Sequence, residues 1–228
     1  MEQTLKITNV LSDPTRFSIY EKFIEKKEPM TVAEVADMFN IHPNVARLHL
    51  TKLVEINLLS AYYRKNENGG RPSRVYELSD HVIELSFPHR DYRLLAQMML
   101  ESFVGLGEAG KKALYETGKR YGIQIMLDQH AKTSAMSVTE KIKLLEETSA
   151  MLGMFPKFNF NEDENVLHFT FSNCPIKEIA EQNTNIVCKL HNHFIKGMLQ
   201  ALFPKATLQE EENMLKGCEH CKYVAQLA

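Results

Sequence analysis

The residues with the most chemistry in this chain are its four cysteines, and all of them fall within the last 55 of its 228 residues. Their pattern is Cys174-x13-Cys188-x29-Cys218-x2-Cys221. Cys174 ends an alternating apolar segment and precedes Pro175, a turn that can present a thiolate. Cys188 opens a helical pattern continued by Leu190, Phe194, Met198, Leu199 and Leu202. Cys218 and Cys221 follow Gly217 as a short Cys-x-x-Cys chelate ahead of a strand-like run. Thiolates are soft ligands and select iron–sulfur clusters or zinc over hard cations. Four cysteines are too few for a disulfide scaffold, and Met1-Glu2-Gln3-Thr4 has neither the basic nor the apolar part of a signal peptide, so a reducing cytoplasm is expected. In that setting Cys174, Cys188, Cys218 and Cys221 read as one metal site, an iron–sulfur cluster or zinc. The bland alternative is four unrelated buried thiols, the usual state of a lone cysteine. His191, His193 and His220 lie near enough in sequence to replace a thiolate.

A second group of residues points to a different partner. The formal net charge is only −2, but it is unevenly spread. Between Ile41 and Tyr76, Arg47, Lys52, Arg64, Lys65, Arg71 and Arg74 meet only Glu55 and Glu67, whereas the stretches before residue 41 and after residue 159 are acidic. A basic stretch inside an acidic chain is an anion-binding face.

The elements around these cations explain their placement. Asp13-Pro14 is a helix start, an acceptor side chain followed by proline at the first helical position. Thr31 and Glu34 have capping-box spacing for a short second helix. Pro43 opens a third helix running to about Glu55, with Ala46, Leu50 and Leu53 as one apolar stripe. Pro43, Asn44, Arg47 and Thr51 fall on another side. Leu58–Arg64 and Arg74–Leu78 read as two strands around a glycine-containing basic tip. The order is that of a winged helix-turn-helix, with the third helix in the major groove and the wing on the phosphates. DNA contacts are therefore expected from Pro43, Asn44, Arg47, Thr51, Arg64, Arg71 and Arg74.

The remainder reads as α+β, so the fold class is mostly α with small β: a DNA-binding domain over 1–80 and a dimerisation and sensor domain over 81–228, with Ser79–Arg90 as the boundary. Asp91–Tyr121 is a long helix or a pair broken near Gly105, Gly107 and Gly110. Ser137 and Glu140 form another capping box, and Phe155–Phe160 can pair with Val166–Ser172.

Several motifs carry a family resemblance. Asp13-Pro-Thr-Arg16, Val45-Ala-Arg-Leu-His-Leu50 with Leu53 and Leu58-Leu59, and Gly70-Arg-Pro72 followed by Tyr76-Glu-Leu-Ser79 resemble ArsR-type winged-helix regulators. The Gly-Arg-Pro wing, Asn173-Cys-Pro175, Val187-Cys-Lys-Leu-His191 and Gly217-x3-Cys221-x-Tyr223 resemble the branch of iron–sulfur-sensing Suf-operon repressors. That resemblance implies a cluster held by Cys174, Cys188 and Cys221. Cys218 departs from it, either as a fourth thiolate or as the mark of an all-thiolate zinc site. Asn57 stands where such proteins commonly have glycine, and asparagine tolerates the left-handed turn this requires.

The expected function is a cytoplasmic transcriptional repressor that binds operator DNA as a homodimer. Its seam would include Leu94–Leu106 and the stretch Leu5-Lys6-Ile7. A C-terminal half that binds a small apolar effector is the second reading. The competing class is a thiol or redox enzyme using Cys188 with His191, or Cys218 with Cys221. Against it, no thioredoxin-like βαβ context, nucleotide loop or nucleophile elbow is present. No apolar run approaches the roughly 20 residues that cross a bilayer.

Overall fold

A computed structural model describes residues 2–65, 72–80, 82–83, 85, 88, 90–129 and 136–227. The chain divides into two compact units, Met1–Arg90 and Asp91–Ala228.

The first unit contains helices α1 (Glu2–Leu11), α2 (Pro14–Lys26), α3 (Val32–Phe39) and α4 (Pro43–Glu55), and strands β1 (Met30–Thr31), β2 (Leu59–Arg64) and β3 (Ser73–Leu78). Local chemistry sets nearly every boundary. The Asp13 carboxylate accepts the Arg16 amide at 3.0 Å and Pro14 starts α2. Thr31 and Glu34 form the reciprocal capping box of α3, and Asn40 ends that helix at φ 50°. His42 caps α4 by accepting from the Asn44 amide at 3.2 Å. Asn57 adopts φ 59°, the left-handed turn its position demands. Sheet order is β1-β3-β2, all antiparallel. The core joins Ile7, Val10, Ile19, Phe23, Val35, Ala46, Leu50, Leu53 and Tyr76. Helix α1 was not anticipated as an element. Its Ile7 and Val10 pack into this core while Leu5 stays exposed, so of the stretch assigned to a dimer seam Ile7 is already buried within its own unit.

The second unit runs α5 (Tyr92–Gly105), α6 (Gly107–Gln129), α7 (Val138–Met151), β4 (Pro156–Asn161), β5 (Val166–Phe171), α8 (Lys177–Ala180), α9 (Thr184–Leu202), β6 (Thr207–Glu212), a 3-10 turn (Met214–Lys216) and β7 (Cys221–Gln226). The helical stretch breaks between Gly105 and Gly107, where Gly107 takes φ 64°. Ser137 and Glu140 cap α7 reciprocally. The antiparallel sheet has the order β4-β5-β7-β6. Leu167, Phe169 and Phe171 of β5 and Tyr223 and Ala225 of β7 are buried together with Met126, Leu145, Met198 and Leu199, so helices cover one face of the sheet. Phe169 stacks between Phe158 (4.9 Å) and Tyr223 (5.2 Å). Helices α6 and α9 touch backbone to backbone. A Cβ at Gly122 would stand 2.0 Å from the Phe194 carbonyl oxygen, and one at Gly197 2.1 Å from that of Lys119. Only glycine permits that approach.

Candidate functional site

The first candidate surface lies on α4. Ala46, Leu50 and Leu53 are fully buried, which turns Pro43, Asn44 and Arg47 outward and leaves Thr51 half-buried. Arg47 donates to the Asn44 side chain at 3.3 Å, a pairing that holds both heads over the exposed face. Leu48 is 55% exposed on the same side and was not anticipated, although an apolar side chain there suits contact with a thymine methyl. At the wing, Arg64 and Arg74 are exposed, and the Arg74 guanidinium lies 5.2 Å over the Tyr76 ring. Tyr63, opposite Arg74 in the ladder, is 69% exposed. Arg71 lies outside the described residues.

Arg16 performs a separate task. Its guanidinium donates to the Val10 carbonyl at 2.7 Å and to His49 Nδ1 at 3.4 Å, and it pairs with Asp13 at 3.5 Å. One side chain therefore joins the end of α1, the start of α2 and the inner face of α4. Burial, aided by the Arg16 charge, pulls the His49 pKa down, while Asp13 opposes the shift. The imidazole is thus kept neutral, as an acceptor for Arg16 must be.

The second candidate is a small pocket in the C-terminal unit. Phe171 and Cys221 are paired in the β5–β7 ladder. Cys174, three residues beyond β5, and Cys221, at the head of β7, therefore emerge at the same end of the sheet. Cys188 arrives from α9, and the three side chains line one cavity of about 10 Å³. None of the four cysteines is joined in a disulfide. His191, three residues after Cys188 on α9, lines the same cavity, and its Nε2 is buried without a hydrogen-bond partner. Cys218 is half-buried on the turn after Gly217 and does not line the cavity. His193 instead stacks on Tyr115 at 4.9 Å.

Burial pushes the Cys174 thiol up to about 11, against the pull of the Ile176 amide, and pulls His191 down to about 4. The Met214 amide donates to Cys221 Sγ at 3.5 Å. Around these groups runs a hydrogen-bond chain that the sequence did not signal. Tyr223 donates to Asn192 (2.9 Å), Asn192 to Glu210 (2.5 Å), and Asn213 to Glu210 (3.2 Å). Ile176, Ala180, Val187 and Leu215 form the apolar wall, and they belong to a small cluster with Leu100 of α5. As the side chains stand, no group of three or more His, Cys, Asp or Glu among the described residues is arranged to hold a metal ion. The donor set nonetheless suits a soft metal: three thiols and an imidazole nitrogen that nothing else satisfies.

A family model described as a helix-turn-helix domain matches residues 11–60, which span α2, α3 and α4. Residues 11–60 are a helix-turn-helix domain. The helix-turn-helix marks the chain as a DNA-binding transcription regulator, not an enzyme. Within it α3 and α4 are the helix pair of the motif, and α4 holds the place of the helix that in such motifs lies in the major groove. No curated protein matches the chain. Among solved structures, the phenol-responsive sensory domain of the transcription activator PoxR, determined with phenol, is 17% identical, with 79% of this chain and 89% of that one covered and a TM-score of 0.45. A trafficking protein particle complex subunit 3 from Naegleria fowleri, covalently bound to palmitic acid, is 18% identical over 60% of this chain and 90% of that one, with a TM-score of 0.38. Among the described residues no helix is long and apolar enough to cross a membrane.

Proposed function

We propose that this regulator is a homodimeric repressor whose C-terminal unit holds a thiolate-bound metal centre, in keeping with its resemblance to the Suf-operon repressors. The observation that carries the reading is the convergence of Cys174, Cys188 and Cys221, from three separate segments, on one cavity. When bound, such a centre supplies a clamp that is sensitive to oxidants or to metal supply. The residues do the rest. Closing on a metal draws the turn after β5 and the head of β7 toward α9, so the apolar wall tightens and Leu100 of α5 tightens with it. Helix α5 exposes Leu94, Leu95, Met98 and Met99 along one side, the seam for a second copy. A dimer spaces two α4 helices for half-sites about one helical turn apart. Ordering α5 favours that spacing, so the loaded form binds operator more tightly.

An iron–sulfur cluster is the reading that the resemblance favours, and zinc is the second. Zinc is supported by size: a cavity of about 10 Å³ admits about one water-sized particle, and a lone ion needs only that the sulfurs draw in.

The test compares operator affinity for metal-loaded wild type, chelated wild type and Cys188→Ser under anaerobic conditions, with the visible spectrum recorded alongside. Charge-transfer bands identify a cluster, and a colourless protein with stoichiometric zinc identifies the second reading. Tighter binding by the loaded form alone is expected. Equal affinity in all three samples would reduce the centre to a structural clamp.

A further inference from the structure

Besides its three thiols, the cavity is lined by the His191 imidazole and by the Met214 thioether, and Met214 packs against the apolar core of the unit. His191 follows Cys188 by three residues on α9, so both side chains share one helix face and both line the cavity. Its Nε2 is buried and unpartnered, whereas buried polar atoms almost always find a partner. The other polar side chains of the wall are already engaged. Asn192 joins Tyr223 to Glu210, and Asn213 accepts from the Leu215 amide while donating to Glu210. Ile176, Ala180, Val187 and Leu215 have no side chain to offer. Cys218 lies on the turn past Gly217, its amide on the Asn213 carbonyl, and does not line the cavity.

We propose that the centre is a three-thiolate, one-imidazole site formed by Cys174, Cys188, Cys221 and His191, with Cys218 outside the ligand set. The inference rests on the metal reading above and fixes which side chains serve it. Three thiolates and a neutral imidazole place one negative charge fewer in an apolar-walled cavity than four thiolates do, which lowers the burden of desolvation. For a zinc ion this is an ordinary tetrahedral set. For a cluster, an imidazole in place of one thiolate raises the reduction potential. Cys218 stays half-buried on its turn, outside the centre.

Cobalt(II) reads the ligand set directly, because thiolate charge-transfer absorbance scales with the number of bound sulfurs. The full chain is reduced, stripped of metal and titrated anaerobically with cobalt(II) as wild type, Cys218→Ser, His191→Ala and His191→Cys, with circular dichroism recorded for each. Wild type and Cys218→Ser should bind one ion with the same spectrum and affinity. His191→Ala should bind more than ~10-fold more weakly, since even losing a supporting partner of a ligand costs 10–100-fold. His191→Cys should raise the charge-transfer absorbance by about a third, as three sulfurs become four, and this variant decides the matter if the alanine variant does not fold. A spectrum lost in Cys218→Ser and kept in both His191 variants overturns the inference while leaving the metal reading intact. If wild type takes up neither cobalt(II) nor zinc nor a reconstituted cluster, the metal reading itself fails, and the inference with it.

Discussion

The face of α4 and the thiol cavity are built on opposite principles. The α4 face is exposed, and its geometry follows from contacts a few residues apart: Asp13 to Arg16, Thr31 to Glu34, His42 to Asn44, Arg47 to Asn44. The cavity is largely buried, and two of its thiols, Cys174 and Cys221, meet through a strand pairing that joins residues 50 positions apart, Phe171 with Cys221, while Cys188 comes from α9. Locally built surfaces are rigid before any ligand arrives, as reading DNA requires. A site assembled from distant segments changes with its ligand, as sensing requires. On the function proposed above, the first unit reads and the second responds.

The hardest blow to that contrast falls on the α6–α9 contact, because α9 carries Cys188 and His191. Gly122→Ala puts a methyl group 2.0 Å from the Phe194 carbonyl oxygen, which neither backbone can accommodate without shifting. Overpacking against backbone should cost the C-terminal unit about 3 kcal/mol or more. Urea unfolding should show the C-terminal transition at a clearly lower midpoint, with the N-terminal one unmoved. A single shared transition that shifts as a whole would show that the two units are not separately cooperative.

Next in size is Arg16→Ala, which strikes the reading unit alone. It strands the Val10 carbonyl and the His49 acceptor and removes the tie from α1 and α2 to α4. A loss of about 2 kcal/mol is expected for unmade bonds at a largely buried charge. Because α4 is then less firmly held, operator affinity should fall although Arg16 is turned inward, onto Val10 and His49. Unchanged stability with weakened binding would instead make Arg16 a phosphate contact.

Smaller again are the substitutions on the face itself. Arg47→Ala should flatten the preference among operator variants by about 1–3 kcal/mol at one base position. Arg74→Ala should weaken all sequences alike and lower the salt slope by about one unit. Leu48→Ser should lose discrimination only at thymine-containing positions. A competition series on single-base operator variants at two salt concentrations separates all three.

What the sequence revealed follows the same division. Cap residues, prolines and the α4 stripe announced α2, α3 and α4 because each signal and its consequence lie within a few residues. Strand alternation announced β5, and the glycines announced the break between α5 and α6. Helix α1 has no cap or proline to mark it. Strand β6 was hidden because Thr-Leu-Gln-Glu-Glu-Glu carries three residues that disfavour strands, and its pairing with β7 overrides that preference. The cysteines drew attention by their type. That Cys174, Cys188 and Cys221 share a cavity while Cys218 stands apart depends on the register of β5 against β7, which spacing alone does not encode. The chain from Tyr223 through Asn192 to Glu210 likewise joins β7, α9 and β6, and no local pattern carries it.

The finest test uses protons on the reading unit. Neutral His49 accepts from Arg16, and burial holds its pKa below the ordinary value of 6.5. A group whose folded pKa is depressed binds protons more readily when unfolded. Its neutral form therefore contributes stability above the unfolded value, and that stability is lost as the pH falls through 6.5 toward the folded value. Protonation converts the acceptor to a donor and sets two cations side by side. Asp13 Oδ2, 3.9 Å from Nδ1, takes up part of the cost, so the effect is the smallest of the set. The quantity to measure is the stability difference between wild type and His49→Gln, followed in the N-terminal transition from pH 7.5 to 5, because the glutamine amide does not titrate. Wild type should lose ground to the variant on acidification. A difference that moves the other way would mean that Asp13 outweighs burial and Arg16 together, and that the joint between α1, α2 and α4 is held by a charged imidazole.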